Sequence, residues 1–93
     1  MTARSVGLPT VTAAADLPAS VQIWEVGARD GLQNEASIVD VATKLEFLDR
    51  LADAGLRILE ATSFVHPRWV PQLADAEQVL AGLRRRQDVT YPV

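Results

Sequence analysis

The chain has 93 residues, enough for one small domain and too few for two. With 48% hydrophobic and 23% charged residues it has the balance of an ordinary globular chain, and a net charge of -3 supplies no basic field for nucleic acid. It has no cysteine, which excludes a disulfide framework and a thiolate metal site within it, and no apolar run approaches the roughly 20 residues that span a bilayer.

Residues 1–20 carry only Arg4 and Asp16 as charges and are rich in Ala, Thr, Ser and Pro. A secretory signal needs a continuous apolar stretch and a mitochondrial presequence several arginines, so this composition predicts a flexible extension on a cytoplasmic protein. The β-rich run VQIWEV at 21–26 ends at Gly27 and predicts a strand entering a loop. The loop, 27–37, holds Arg29-Asp30 and Asn34-Glu35 with Gly31 between them. Asp40 is then suited to cap a helix whose apolar positions Val41, Leu45, Leu48 and Ala52 recur at helical spacing. Asp40 with Lys44 and Glu46 with Arg50 are expected as i,i+4 pairs on its outer face, and Gly55 as the left-handed residue that ends it.

Residues 56–62, LRILEAT, predict a second strand, mostly apolar as buried parallel strands are. Pro67 and Pro71 keep 63–72 irregular. Leu73, Ala76, Leu80 and Leu83 mark a second amphipathic helix that Gly82 weakens, with Arg84, Arg85 and Arg86 as its solvated, dipole-favoured end. VTYPV at 89–93 predicts the opening of a third strand. Strands starting at Gln22, Leu56 and Val89 repeat at about 34 residues, long enough for a βαβ crossover with parallel strands and helices outside. Eight such units total roughly 270 residues, close to a TIM barrel, although periodicity alone suits an open doubly wound sheet equally.

Two motifs separate these folds. EVGARDGLQNE runs from Glu25 to Glu35 and LEATSFVHPRWVPQLAD from Leu59 to Asp75. Together they resemble the two amino-terminal signatures of 3-hydroxy-3-methylglutaryl-CoA lyases, members of a superfamily of TIM-barrel metallolyases that share an Arg-Asp pair after the first strand. The resemblance covers 21–93. It implies the first two βα units and the start of a third strand of a (β/α)8 barrel, incomplete in this chain, behind an extension at 1–20. By the same resemblance, the activity implied is cleavage of 3-hydroxy-3-methylglutaryl-CoA to acetyl-CoA and acetoacetate, in leucine breakdown or ketone-body formation.

Residue by residue, the resemblance makes Asp30 a ligand of a divalent ion, Mg2+ or Mn2+, a role that suits a hard oxygen donor. It makes Arg29 the catalytic arginine that stabilises the thioester enolate. Gln33 and Glu60 match polar residues beside metal and substrate, Glu60 counted with the catalytic pair and Gln33 with the substrate contacts; Ser63 matches a further substrate contact. The partner implied is an acyl-CoA, with a homo-oligomer of the full-length enzyme left open. The family's His-x-His pair, asparagine and loop cysteine belong to later segments and are absent here, so the 93-residue chain is expected to be inactive alone. Ala28, His66 and Arg68 depart mildly from the family pattern, which often has proline, serine and lysine there. On their own chemistry, Glu25 is expected as a buried partner of an arginine, His66 as a loop residue, and Trp24 and Trp69 as packing residues. Two other readings stand beside the lyase: a superfamily lyase acting on another hydroxyacyl-CoA, and a non-catalytic fragment that pairs with a separate chain.

Overall fold

The computed structural model describes residues 16–93. The extension expected at 1–20 lies outside the described residues as far as position 15, and 16–20 are exposed. Strand β1 (Trp24–Glu25) pairs in parallel with β2 (Ile58–Leu59), Trp24 opposite Ile58 and Glu25 opposite Leu59. Thr90 bridges Ile58 in parallel on the other side. The ladder continues as single bonds: Glu60 N–H to the Glu25 carbonyl at 2.9 Å, Leu59 N–H to Thr90 at 2.9 Å and Ala61 N–H to Pro92 at 3.1 Å. Pro92 lacks an N–H, and here it is asked only for its carbonyl. Two of the three expected strands are thus present, paired in parallel but far shorter than 21–26 and 56–62, and of the third, 89–93, only the single bridged residue Thr90 and the carbonyl bond of Pro92 join the ladder. Among the described residues β1 has no second neighbour, and Val21, Ile23 and Trp24 along it are exposed, so nothing extends its pairing.

Helix α1 (Val41–Asp53) forms as its sequence predicts. Asp40 is extended, and its carboxylate accepts the Thr43 N–H at 2.8 Å. At the other end Gly55 has a φ of 104°, its N–H bonds the Ala52 carbonyl at 3.0 Å, and Leu56 N–H reaches the Leu51 carbonyl at 3.3 Å. That pair of bonds is a Schellman motif. Glu46 and Arg50 pair at 2.9 Å on the outer face, as expected. Lys44 does not. It is 2% exposed on the face shared with Leu48 and Ala52, and its ammonium bonds Asp75 Oδ1 at 2.6 Å rather than Asp40. Lysine carries its charge on an apolar stem, which can lie along a core while the head meets a partner.

The second helix is shorter than 73–83. Pro71–Leu73 winds as a 3-10 turn, and α2 (Ala76–Gly82) follows, with Leu83 already extended. Its fully buried residue is Val79, which the Leu73–Leu83 stripe omits. Gly82, expected only to weaken the helix, allows a close crossing: a Cβ there falls 2.7 Å from Leu45 Cδ1. The arginines after α2 are not simply a solvated end. Arg86 is half-buried and bonds Asp49 at 2.7 Å and Asp53 at 2.8 Å on α1, while Arg84 lies 3.5 Å from Asp49. Leu48, Ala52, Leu59, Ala61 and Val79 form the core between sheet and helices, joined by Ala28 and Val89.

Candidate active site

The loop carrying Arg29 starts with a tight π-type turn, Gly27–Gly31, in which Gly31 N–H reaches back to the Val26 carbonyl at 3.1 Å. Space at Gly27 is tight. A Cβ on it falls 2.8 Å from Glu25 Oε1 and 3.1 Å from Phe47 Cζ. Glu25 Oε1 also accepts the Gly27 N–H at 2.9 Å, so this half-buried carboxylate is partnered by backbone and not by the arginine expected for it. Ala28 is buried in the core, which anchors the turn and aims the next side chain across the end of β2.

Arg29 Nε donates to Glu60 Oε1 at 2.8 Å. Its Nη1 lies 3.5 Å from both Asp30 Oδ1 and Gln33 Oε1, at the outer limit of bonding. Arg29 is 28% exposed and Glu60 18%, so this charge-assisted bond is partly shielded, while Asp30 is 53% exposed and its pairing is weak. Asn34 Nδ2 closes the turn on the Asp30 carbonyl at 2.8 Å. The structure therefore brings Arg29, Asp30, Gln33 and Glu60 together at the carboxyl ends of two paired parallel strands, where open and closed α/β folds alike place ligands. The half-buried position of Glu60 between the buried Leu59 and Ala61 is explained by the guanidinium it accepts from.

Ser63 is half-buried beyond Glu60, and among the described residues no side-chain hydrogen bond joins it to the cluster. Its neighbour Thr62, which sequence reasoning passed over, is buried with a hydroxyl that finds no hydrogen-bond partner among the described residues. Gln72 was also missed: its Nε2 donates to the Glu35 carbonyl at 2.8 Å, joining the loop after β2 to the loop after β1. No local pattern announces a contact between residues 37 positions apart. His66 is a turn residue, accepting the Arg68 N–H on Nδ1 at 3.1 Å. Among the described residues nothing packs over the tryptophans expected to do so, and Trp24 and Trp69 are 55% and 82% exposed.

A divalent ion takes several preorganised oxygen ligands. Among the described residues no group of three or more His, Cys, Asp or Glu side chains is arranged to hold one. Asp30 stands alone beside the Arg29 cation, so these residues do not by themselves make up a metal shell.

No family model matches the chain. A hydroxymethylglutaryl-CoA lyase of Macaca fascicularis, named as mitochondrial, is 50% identical over 95 residues, covering 97% of this chain and 29% of the relative. The crystal structure of the hydroxymethylglutaryl-CoA lyase from Pseudomonas aeruginosa superposes with a TM-score of 0.75 at 52% identity, over 81% of this chain and 25% of that one. A lyase of the same name from Acinetobacter baumannii, in complex with coenzyme A and 3-methylmalate, matches with a TM-score of 0.73 at 38% identity over 87% of this chain and 26% of its own. The chain spans about 29% of the length of the curated relatives it matches. By that likeness in sequence and in backbone, it belongs to the family of the hydroxymethylglutaryl-CoA lyases.

Proposed function

We propose that this chain supplies part of the active site of a carbon–carbon lyase that cleaves 3-hydroxy-3-methylglutaryl-CoA to acetyl-CoA and acetoacetate. The observation that carries the reading is the Arg29–Glu60 pair, 2.8 Å apart at the carboxyl ends of parallel strands, in a chain half identical to such lyases. In this reading residues 21–93 form the first βα units of a TIM barrel. Arg29 holds its guanidinium against the thioester oxygen as enolate charge develops there, the kind of fixed cation that lowers such a barrier most. Glu60 keeps that guanidinium from swinging to solvent, and Gln33 and Ser63 contact the acyl-CoA. Mg2+ or Mn2+ belongs to the reading as well, with Asp30 giving one oxygen ligand and the rest coming from outside this chain; bound, the ion would polarise the substrate's oxygens.

The test is a chimera with 21–93 replacing the matching segment of the Pseudomonas aeruginosa lyase. The expected result is acetoacetate release by the chimera, a loss of about 10²–10³ in kcat on Arg29→Lys, and no release by the 93-residue chain alone. A folded chimera without activity overturns the proposal. Exposed Val21, Ile23 and Trp24 along the edge strand favour a second reading, in which a separate chain completes the sheet. Co-purification of a complementary chain supports that reading, and a monodisperse, cooperatively folding monomer counts against it.

A further inference from the structure

Among the described residues Lys44 is the buried charged side chain, and the lyase reading gives it no task. Removing an ammonium from water is costly, and a buried ion pair seldom stabilises more than a well-packed apolar side chain of the same volume. A methionine would fill the space between Leu48 and the helix start at least as well. What the lysine adds is direction. Its Nζ donates to the Gln72 carbonyl at 2.6 Å and to Asp75 Oδ1 at 2.6 Å, so one ammonium grips both the 3-10 turn before α2 and the residue that opens the helix. Gln72 passes the constraint on, through Nε2 to the Glu35 carbonyl at 2.8 Å. Glu35 ends the turn that Asn34 closes on Asp30, one residue from Arg29.

We propose that Lys44 is a positioning residue: from beneath both loops its ammonium sets the loop after β2 against the loop after β1, and so holds Glu60 opposite Arg29. The inference rests on reading those loops as the active site, but its test needs no catalysis. Amide hydrogen exchange is followed residue by residue in the full chain, in its original form and as Lys44→Met and Lys44→Arg.

In Lys44→Met, exchange should quicken at least tenfold at Leu73 and Ala74. It should quicken equally at Asn34 and Glu35, whose N–H groups bond within their own turn and do not touch Lys44. The Gly55 and Leu56 amides that close α1 should stay within twofold, and Lys44→Arg should restore protection in both loops. Faster exchange spread evenly over helix and loops makes Lys44 a plain stabiliser and overturns the inference, as does unchanged exchange at Asn34 and Glu35. If Lys44→Met loses its helical circular dichroism, Gln72→Ala replaces it, since it leaves the ammonium's bonds intact and cuts only the last link. Faster exchange confined to Asn34 and Glu35 then supports the inference, and no change there overturns it. An inactive chimera beside a localised exchange response refutes the lyase reading alone, and an active chimera beside a uniform response refutes this inference alone.

Discussion

Gly27→Ala tests whether space, and not backbone freedom, makes this position a glycine. Among the described residues Gly55 alone has a positive φ, so an alanine at 27 meets no backbone strain. Its Cβ, however, lands 2.8 Å from Glu25 Oε1 and 3.1 Å from Phe47 Cζ. The carboxylate must swing away and give up the 2.9 Å bond from the Gly27 N–H, a loss of about 1 kcal/mol for a partly exposed charged acceptor. Phe47, packed against the core, must also shift, and crowding of this kind costs about 1–2 kcal/mol. Restricting the unfolded chain returns about 0.4–1 kcal/mol. The net is a destabilisation of about 1–2.6 kcal/mol, which lowers a urea midpoint by about 1 M at the denaturant sensitivity of a small domain. Phe47→Leu in the Gly27→Ala background should recover part of that loss by retracting the ring edge. A midpoint equal to or above the original refutes the argument from crowding, and with it the claim that Glu25 and Phe47 shape the turn bearing Arg29.

Thr62→Val replaces a buried hydroxyl that has no partner among the described residues with a methyl of similar shape, and should leave stability unchanged or raise it by about 1 kcal/mol, read from the thermal midpoint. A loss of more than 1 kcal/mol shows that the hydroxyl has a partner after all. Asp49 is held below its ordinary value of 3.8 chiefly by the Arg86 hydrogen bond; burial opposes this, and the charges of Arg86 and Arg84 add smaller help. Arg86 in turn is pushed further above its ordinary range by hydrogen bonds to Asp49 and Asp53, and so stays cationic. A carboxyl with a lowered folded value contributes stability that is complete above 3.8 and is lost as pH falls through the folded value. The Tm of the original chain should therefore fall more steeply below pH 3.8 than that of Asp49→Asn; parallel Tm curves between pH 6 and 2 refute the pairing.

Features set by near neighbours were legible in the sequence. The Asp40 cap, the Gly55 ending and the Glu46–Arg50 pair each depend on residues within five positions, and all three formed. Arg29, Asp30 and Gln33 also share one turn, and the strand that brings Glu60 to them was readable from its apolar run. The misreadings share a cause. Lys44 was assigned to the solvent face by its nearest acid, Asp40, but a stronger demand came from Asp75, 31 positions away. The arginines after α2 looked like a dipole-compensating end, yet Arg86 answers two acids on α1. Helix periodicity ranks positions by apolar character and cannot register that Gly82 is where two helices touch, or that Val79 is the residue most deeply packed.

These long-range ion pairs follow from how little the core can do alone. Four of the nine buried apolar residues among those described are alanines, Ala28, Ala52, Ala61 and Ala76, which bury little surface each and hardly constrain how one element turns against another. Hydrophobic burial is non-directional, so a core of small side chains brings α1, α2 and the ladder together without fixing their rotation. Hydrogen-bonded charges are directional, and they sit at both ends of α1. At its first turn Lys44 holds the segment that follows β2, and at its last turns Asp49 and Asp53 hold Arg86, three residues before Val89 leads into the third parallel strand. Helix α1 thereby sets the two loops of the candidate site at one end and the entry of the third strand at the other. Losing the tie at the first turn should disturb the site before it disturbs the fold, whereas losing the tie at the last turns should loosen the third strand and leave the Arg29–Glu60 pair in place.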